Sequence, residues 1–251
     1  MNKKIFFSSL FLVSSLFSHT SYLYKKVFSL TITNTIPKII HQIWVGNKPI
    51  PEKYKQYMET WIAFHPDWEY RLWTDEDVDD FPWRNKDLFL QAENPGMKSD
   101  IWRYEIVNHY GGLYVDADMQ ACRSFEPIHS RLEFYAGYMF GNFVSCGIFA
   151  SKPDSPILNN AIESLRESIG RYNFDVFDAD VIMEATGPLF FTKIIEESLP
   201  STDVRFNVIL PHQYFQPVEC QNRGIPKTKI EFFNIQKICF AIDHNGSSWV
   251  P

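Results

Sequence analysis

Apolar and polar positions along the chain switch repeatedly between two periods. The run 38–45 (KIIHQIWV) is apolar at nearly every position, the pattern of a strand buried on both faces, and Gly46-Asn47 ends it. Beyond Pro51, the residues Tyr54, Tyr57, Met58, Trp61 and Ile62 recur at the spacing of one helix face. Trp68, Tyr70 and Leu72 then alternate with polar residues as a second strand, and Thr74 with Asp77 forms a capping box for a short acidic helix. Asn94-Pro95 opens a helix that runs to about Tyr110 and stops at Gly111-Gly112. Leu113-Tyr114-Val115 is a short strand, and the stretch 134–150 reads as more sheet. Ser155-Pro156 starts a helix with Ile157, Leu158, Ala161, Ile162 and Leu165 on one face, and Gly187-Pro188 starts another through Ser198. Late strands fall at 208–210 and 238–242. Strands and helices interleave, which predicts an α/β domain of three layers, a mixed Rossmann-like sheet flanked by helices.

The N-terminus has its own pattern. Lys3 and Lys4 precede a run of apolar residues and serines over 5–17, the layout of a signal peptide or short membrane anchor across residues 1–30. The run is shorter than the roughly 20 residues that span a bilayer. A polar, β-branched linker, 29–35, leads into a domain over 36–251. The expected location is therefore the secretory pathway, a membrane surface or outside the cell, with a cytoplasmic face also open. The formal net charge is −6, which argues against nucleic acid as a partner. Of the four cysteines, Cys122, Cys146, Cys220 and Cys239, none forms a Cys-x-x-Cys pair, so free thiols are expected rather than a zinc site.

The candidate chemistry centres on Gly111-Gly112-Leu113-Tyr114-Val115-Asp116-Ala117-Asp118. In an extended chain Tyr114, Asp116 and Asp118 share a face and Leu113 and Val115 take the other. Two carboxylates at the C-terminal end of a sheet strand, where open α/β sheets gather ligands, suit a hard cation such as Mn²⁺ or Mg²⁺ that also binds substrate phosphates. Asp100 and Arg103, three apart on the preceding helix, read either as a surface ion pair or as contacts to a bound donor. His41 sits in the buried-strand pattern and reads as a satisfied core histidine; Trp44 reads as core or as a wall of a site.

Several ordered blocks resemble glycosyltransferase family 32: 36–44 (IPKIIHQIW), Ser99-Asp100-x-x-Arg103-Tyr104, 110–118 (YGGLYVDAD), Thr186-Gly187-Pro188 and His244-x-x-x-Ser248-Trp249. The middle blocks also resemble the donor site of the large clostridial glucosylating toxins. The resemblance implies a GT-A fold, a retaining mechanism, a UDP- or GDP-sugar donor and a divalent metal. It implies Trp44 near the nucleotide base, Asp100 and Arg103 on donor sugar and diphosphate, and Tyr114 by the ribose. It further implies Asp116 on ribose and metal, Asp118 as main metal ligand, and His244, Ser248 and Trp249 closing over the diphosphate. Asp243-His244-Asn245 departs from the more hydrophobic family pattern, which leaves the third metal ligand open between His244 and Asn245. Asp116, Asp118 and Arg103 are the expected catalytic set. The expected function is transfer of a hexose (mannose, glucose or galactose) to a glycan or glycolipid. The rival readings are a toxin-like transferase with a protein acceptor, and a non-catalytic nucleotide- or glycan-binding module. Acceptor contacts are expected from 134–177.

Overall fold

The computed structural model describes residues 36–139, 142–172, 178–203, 205–217 and 239–244. The expected anchor over 1–30 and the expected contacts Ser248 and Trp249 lie outside them. Among the described residues no helix is long and apolar enough to cross a membrane.

Strands β1 (Ile39–Ile43) and β2 (Glu69–Trp73) flank helix α1 (Glu52–Phe64) in sequence. They are followed by helices α2 (Lys86–Gln91) and α3 (Pro95–Tyr110), then β3 (Gly112–Val115) and β4 (Met119–Ala121). A short helix α4 (Glu126–His129) leads to β5 (Phe134–Tyr138) and β6 (Val144–Ser151). Helices α5 (Pro156–Ile169), α6 (Ala179–Ala185) and α7 (Pro188–Ser198) precede β7 (Asn207–Leu210) and β8 (Ala241–Asp243). The main sheet has the order β2-β1-β3-β6-β5-β7, and β4 pairs with β8 in a separate ribbon. β6 runs antiparallel to both of its neighbours, while β1 is parallel to β2 and β3.

Side-chain alternation sends the two faces of this sheet into two cores. Tyr114, Phe134, Ala136 and Phe149 meet α3, α5 and α7 through Trp102, Tyr104, Leu158, Leu165 and Phe191. Leu113, Val115, Tyr135, Ile148 and Ala150 meet Trp61 of α1, Phe125, Phe215 and the β4–β8 ribbon. That is the expected three-layer arrangement, with the small ribbon sharing the second covering layer.

Boundaries follow local chemistry. Asn94 Oδ1 accepts from the Gly96 and Met97 N–H groups, and Pro95 occupies the first turn, so α3 begins there. The expected capping box is present: the Thr74 N–H donates to Asp77 Oδ2 at 2.8 Å before the turn Asp75–Asp77. Two expectations need correction. Ile62 is 50% exposed, because the buried stripe of α1 closes at Trp61, whose Nε1 donates to Met119 O at 2.8 Å. The strand expected at 238–242 is Ala241–Asp243, since pairing with β4 sets its ends; Ile238 lies outside the described residues.

His41 is fully buried, and Trp73 Nε1 donates to its Nδ1 at 3.1 Å. Nε2 is therefore the protonated nitrogen, donating to Gly111 O at 2.8 Å. Burial lowers its pKa to about 4, so it is a neutral, fully satisfied core histidine.

Candidate functional site

The two glycines that end α3 bring the acidic pair into place. Gly111 (φ +67°) and Gly112 (φ +104°) adopt left-handed backbone. A Cβ on Gly111 would stand 2.6 Å from Pro37 Cδ, and one on Gly112 would stand 2.6 Å from Ile39 O. Only bare backbone turns tightly enough for β3 to enter beside β1. β3 ends at Val115, and Asp116 is held from two sides: its N–H donates to Gly147 O at 2.8 Å, and Gln42 Nε2 donates to its carbonyl at 3.1 Å. Gln42 is fully buried within β1 and is itself held by the Tyr70 hydroxyl at 2.6 Å. A glutamine inside an apolar strand run was a legible signal for this support.

Strand alternation does place Tyr114 and Asp116 on one face, with the Tyr114 hydroxyl 2.7 Å from Asp116 Oδ1. Asp118 arrives differently. The chain turns at Ala117-Asp118, closed by Met119 N–H to Asp116 O at 3.1 Å, and that turn rather than an extended strand points Asp118 into the same cavity.

Behind Asp116 lies a buried ionic cluster. Arg103 Nη2 is 3.0 Å from Asp100 Oδ1 and 3.2 Å from Asp116 Oδ1. The side chains of Arg103 and Asp100 are 5% and 8% exposed, so the surface-pair reading is excluded. Arg103 also donates to Cys146 O, Ser99 O and Ser99 Oγ, and its guanidinium lies 4.7 Å over the Tyr114 ring. Burial opposes the Arg103 cation, but the Asp116 and Asp100 carboxylates outweigh it and hold its pKa above the ordinary arginine value. Burial pushes the Asp100 carboxyl up to about 6, against the pull of Arg103 and of the Thr186 hydroxyl, which donates to Asp100 Oδ2 at 2.9 Å. Arg103 thus organises two carboxylates from within the protein. Tyr114 is 1% exposed and supports Asp116 from beneath.

These groups face a cavity of about 460 Å³, within the range of small-ligand sites. Trp44, Asp100, Arg103, Asp116 and Asp118 all line it, joined by Asp243 of β8 and the N-terminus of α7 at Gly187-Pro188. Trp44 is half-buried, edge-on to Tyr54 at 5.9 Å, with its Nε1 donating to Lys48 O. His244 does not line the cavity: its ring stacks on Tyr57 at 4.2 Å, and its Nε2 lies 3.1 Å from Gln120 Oε1. Burial, then Lys53, lower its pKa to about 4. Gln216 carried no signal in sequence. It is 3% exposed, its Nε2 donates to Asp243 Oδ2, and its Oε1 has no hydrogen-bond partner.

The donor set fits a hard cation that keeps positions for phosphate oxygens. Asp116, Asp118 and Asp243 are carboxylates lining the one cavity, and Gly147 leaves Asp116 open, since a Cβ there would stand 2.5 Å from Asp116 Oδ2. Among the described residues, however, no three His, Cys, Asp or Glu side chains converge closely enough to form a complete protein cage.

A mixed sheet with one antiparallel inner strand, and a carboxylate pair at the end of β3, define a GT-A glycosyltransferase fold. The PaToxG glycosyltransferase structure has the same fold: TM-score 0.53, 20% identity, covering 68% of this chain and 71% of that one. Residues 51–135 match the family described as the glycosyltransferase sugar-binding region containing the DXD motif. The chain is 35% identical over 219 residues to mannosyl phosphorylinositol ceramide synthase CSH1 of Saccharomyces cerevisiae, covering 85% of this chain and 53% of that protein. It is 30% identical over 223 residues to inositol phosphoceramide mannosyltransferase 3 of Schizosaccharomyces pombe, covering 85% and 56%. The chain is thus similar to DXD-motif glycosyltransferases in its fold and over residues 51–135, and it spans about half the length of these curated relatives.

Proposed function

We propose that this protein transfers a mannosyl group from a nucleoside diphosphate sugar to a membrane glycolipid of the phosphoinositol-ceramide class, with retention at the anomeric carbon. The observation that carries the reading is the cavity in which Asp116, Asp118 and the Arg103–Asp100 pair converge, in a chain similar to proteins named for that transfer.

Asp116 and Asp118, with Asp243 alongside, would hold Mn²⁺ or Mg²⁺, which when bound supplies positive charge against a leaving diphosphate. The protein's own part is positioning. Arg103 pairs with Asp116 from beneath, Thr186 and Arg103 hold Asp100, placed at the donor-sugar end, and the α7 N-terminus offers N–H groups to an anion. Trp44 forms the wall against the base. The acceptor hydroxyl would attack from the face the diphosphate leaves, and the expectation of acceptor contacts from 134–177 is supported by Met139, Ser145 and Gly147 lining the cavity. Tyr138 and Phe143 beside it are 39% and 37% exposed, which suits an acceptor with an apolar body. An anchor over 1–30 would keep the protein at a membrane that carries such a lipid.

The test is nucleotide release and lipid product formation with a panel of GDP- and UDP-sugars, with and without Mn²⁺, using phosphoinositol ceramide and, as the rival acceptor, protein from a cell extract. Metal-dependent mannosylation of the lipid, absent in Asp118→Ala, is expected. Turnover on protein alone would replace the acceptor, and absence of both turnover and nucleotide binding would leave a non-catalytic module.

A further inference from the structure

Sequence spacing separates all four cysteines, but the fold brings two of them together. The antiparallel register of β4 and β8 sets Ala121 opposite Ala241. One step beyond the ladder, the Cys122 N–H donates to Phe240 O at 2.8 Å, and Arg123 Nε donates to Cys239 O at 2.9 Å. The Cys122 and Cys239 side chains lie in hydrogen-bonding reach of each other. Cys239 is fully buried, whereas Cys122 is part-exposed and open to a reagent.

We infer that Cys122 and Cys239 are a redox-active dithiol that closes to a disulfide, fastening the C-terminal strand β8 to the strand that follows Asp118. The oxidant is a small or protein disulfide, RSSR. Cys122, the part-exposed sulfur, attacks one sulfur of RSSR as its proton passes along its hydrogen bond to the Cys239 sulfur, and RS⁻ leaves, giving a mixed disulfide at Cys122. Cys239 then attacks Cys122 Sγ and expels the second RS⁻. The two thiol protons end on the two leaving thiols, so one RSSR becomes two RSH and the protein is oxidised by two electrons. The resolving role suits Cys239. The Cys122 S–H donates to it, with Arg123 adding to the effect, and both hold its thiol below the ordinary value, while that hydrogen bond and burial push Cys122 up. The bond would tie down the strand that carries Asp243 to the cavity, joining parts of the chain far apart in sequence. An oxidising compartment, expected from the N-terminal layout, is where such a bond persists. The inference rests on strand pairing and stands independently of the sugar-transfer reading.

The experiment equilibrates the full chain in glutathione disulfide–glutathione mixtures, quenches in acid, alkylates free thiols and maps tryptic peptides. The four cysteines fall on four different tryptic peptides, so the pairing is unambiguous. The expected result is one reducible cross-link between the Cys122 and Cys239 peptides. In Cys239→Ser it is replaced by a glutathione adduct on Cys122. The oxidised wild type should also melt roughly 5–15 °C above its reduced form, a gap that Cys122→Ser abolishes. Alkylation of both thiols after the oxidising mixtures, or a cross-link to Cys146 or Cys220, would overturn the assignment.

Discussion

Arg103→Met tests the buried cluster most directly. The substitution keeps length and apolar stem but removes the cation 3.0 Å from Asp100 and 3.2 Å from Asp116. Breaking one side of a buried, hydrogen-bonded pair costs about 3–5 kcal/mol, because the partner charge stays buried without compensation. The size should depend on pH. The Asp100 carboxyl already sits at about 6 in the folded protein, above its unfolded value, so acid favours the folded form and stability from this group declines as pH rises from about 4 to 6. Without Arg103 its folded value climbs further, and the variant keeps losing about 1.4 kcal/mol per pH unit where the wild type has levelled off. The expected deficit is therefore about 3–5 kcal/mol at pH 8 and roughly 1–2 kcal/mol at pH 5, where Asp100 carries its proton and only the Asp116 contact and neutral hydrogen bonds are lost. Urea unfolding of wild type and variant across that pH range measures it, and adding Asp100→Asn to the variant should recover part of the loss at pH 8. A deficit under about 1 kcal/mol at pH 8, or one equal at both pH values, would show that the pair behaves as an exposed one and refute the reasoning.

Other expectations are simpler. Gly147→Ala should lower the melting temperature by only a few degrees while weakening nucleotide-sugar binding by roughly 10-fold or more in titration calorimetry, since its Cβ would stand 2.5 Å from Asp116 Oδ2 and turn that carboxylate from Arg103 and Tyr114. Gly112→Ala should destabilise by roughly 2–4 kcal/mol in urea unfolding, because it adds a Cβ 2.6 Å from Ile39 O at φ +104°. Asp118→Asn should abolish the Mn²⁺-dependence of nucleotide binding yet melt within a few degrees of wild type, as the residue is only half-buried. Acid should weaken the fold between pH 6.5 and 4: His41 and His129, both buried and held at about 4, resist protons that the unfolded chain accepts, and together outweigh the opposite effect of Asp100. A stability–pH curve flat across that window would contradict the neutral-histidine assignment.

The order of elements and the carboxylate pair were legible in the chain. Hydrophobic period separates strand from helix, caps such as Asn94-Pro95 and Gly111-Gly112 mark the ends, and Asp116 with Asp118 follows an apolar strand. Such signals are local, because each depends on residues within a turn or two of one another. Tertiary structure decided whatever depends on contacts across the chain. Asp100 and Arg103 look like any helix-surface pair until α3 is buried against β6 and Cys146 O takes an Arg103 N–H at 3.0 Å. His244 matched a family block, and only the fold shows its ring stacked on Tyr57 and Asp243, one residue earlier, lining the cavity. Gln216 and the Cys122–Cys239 pair have no periodic or local signature at all. Their neighbours are set by which strands pair and in what register, and that is fixed by burying two faces of one sheet at once.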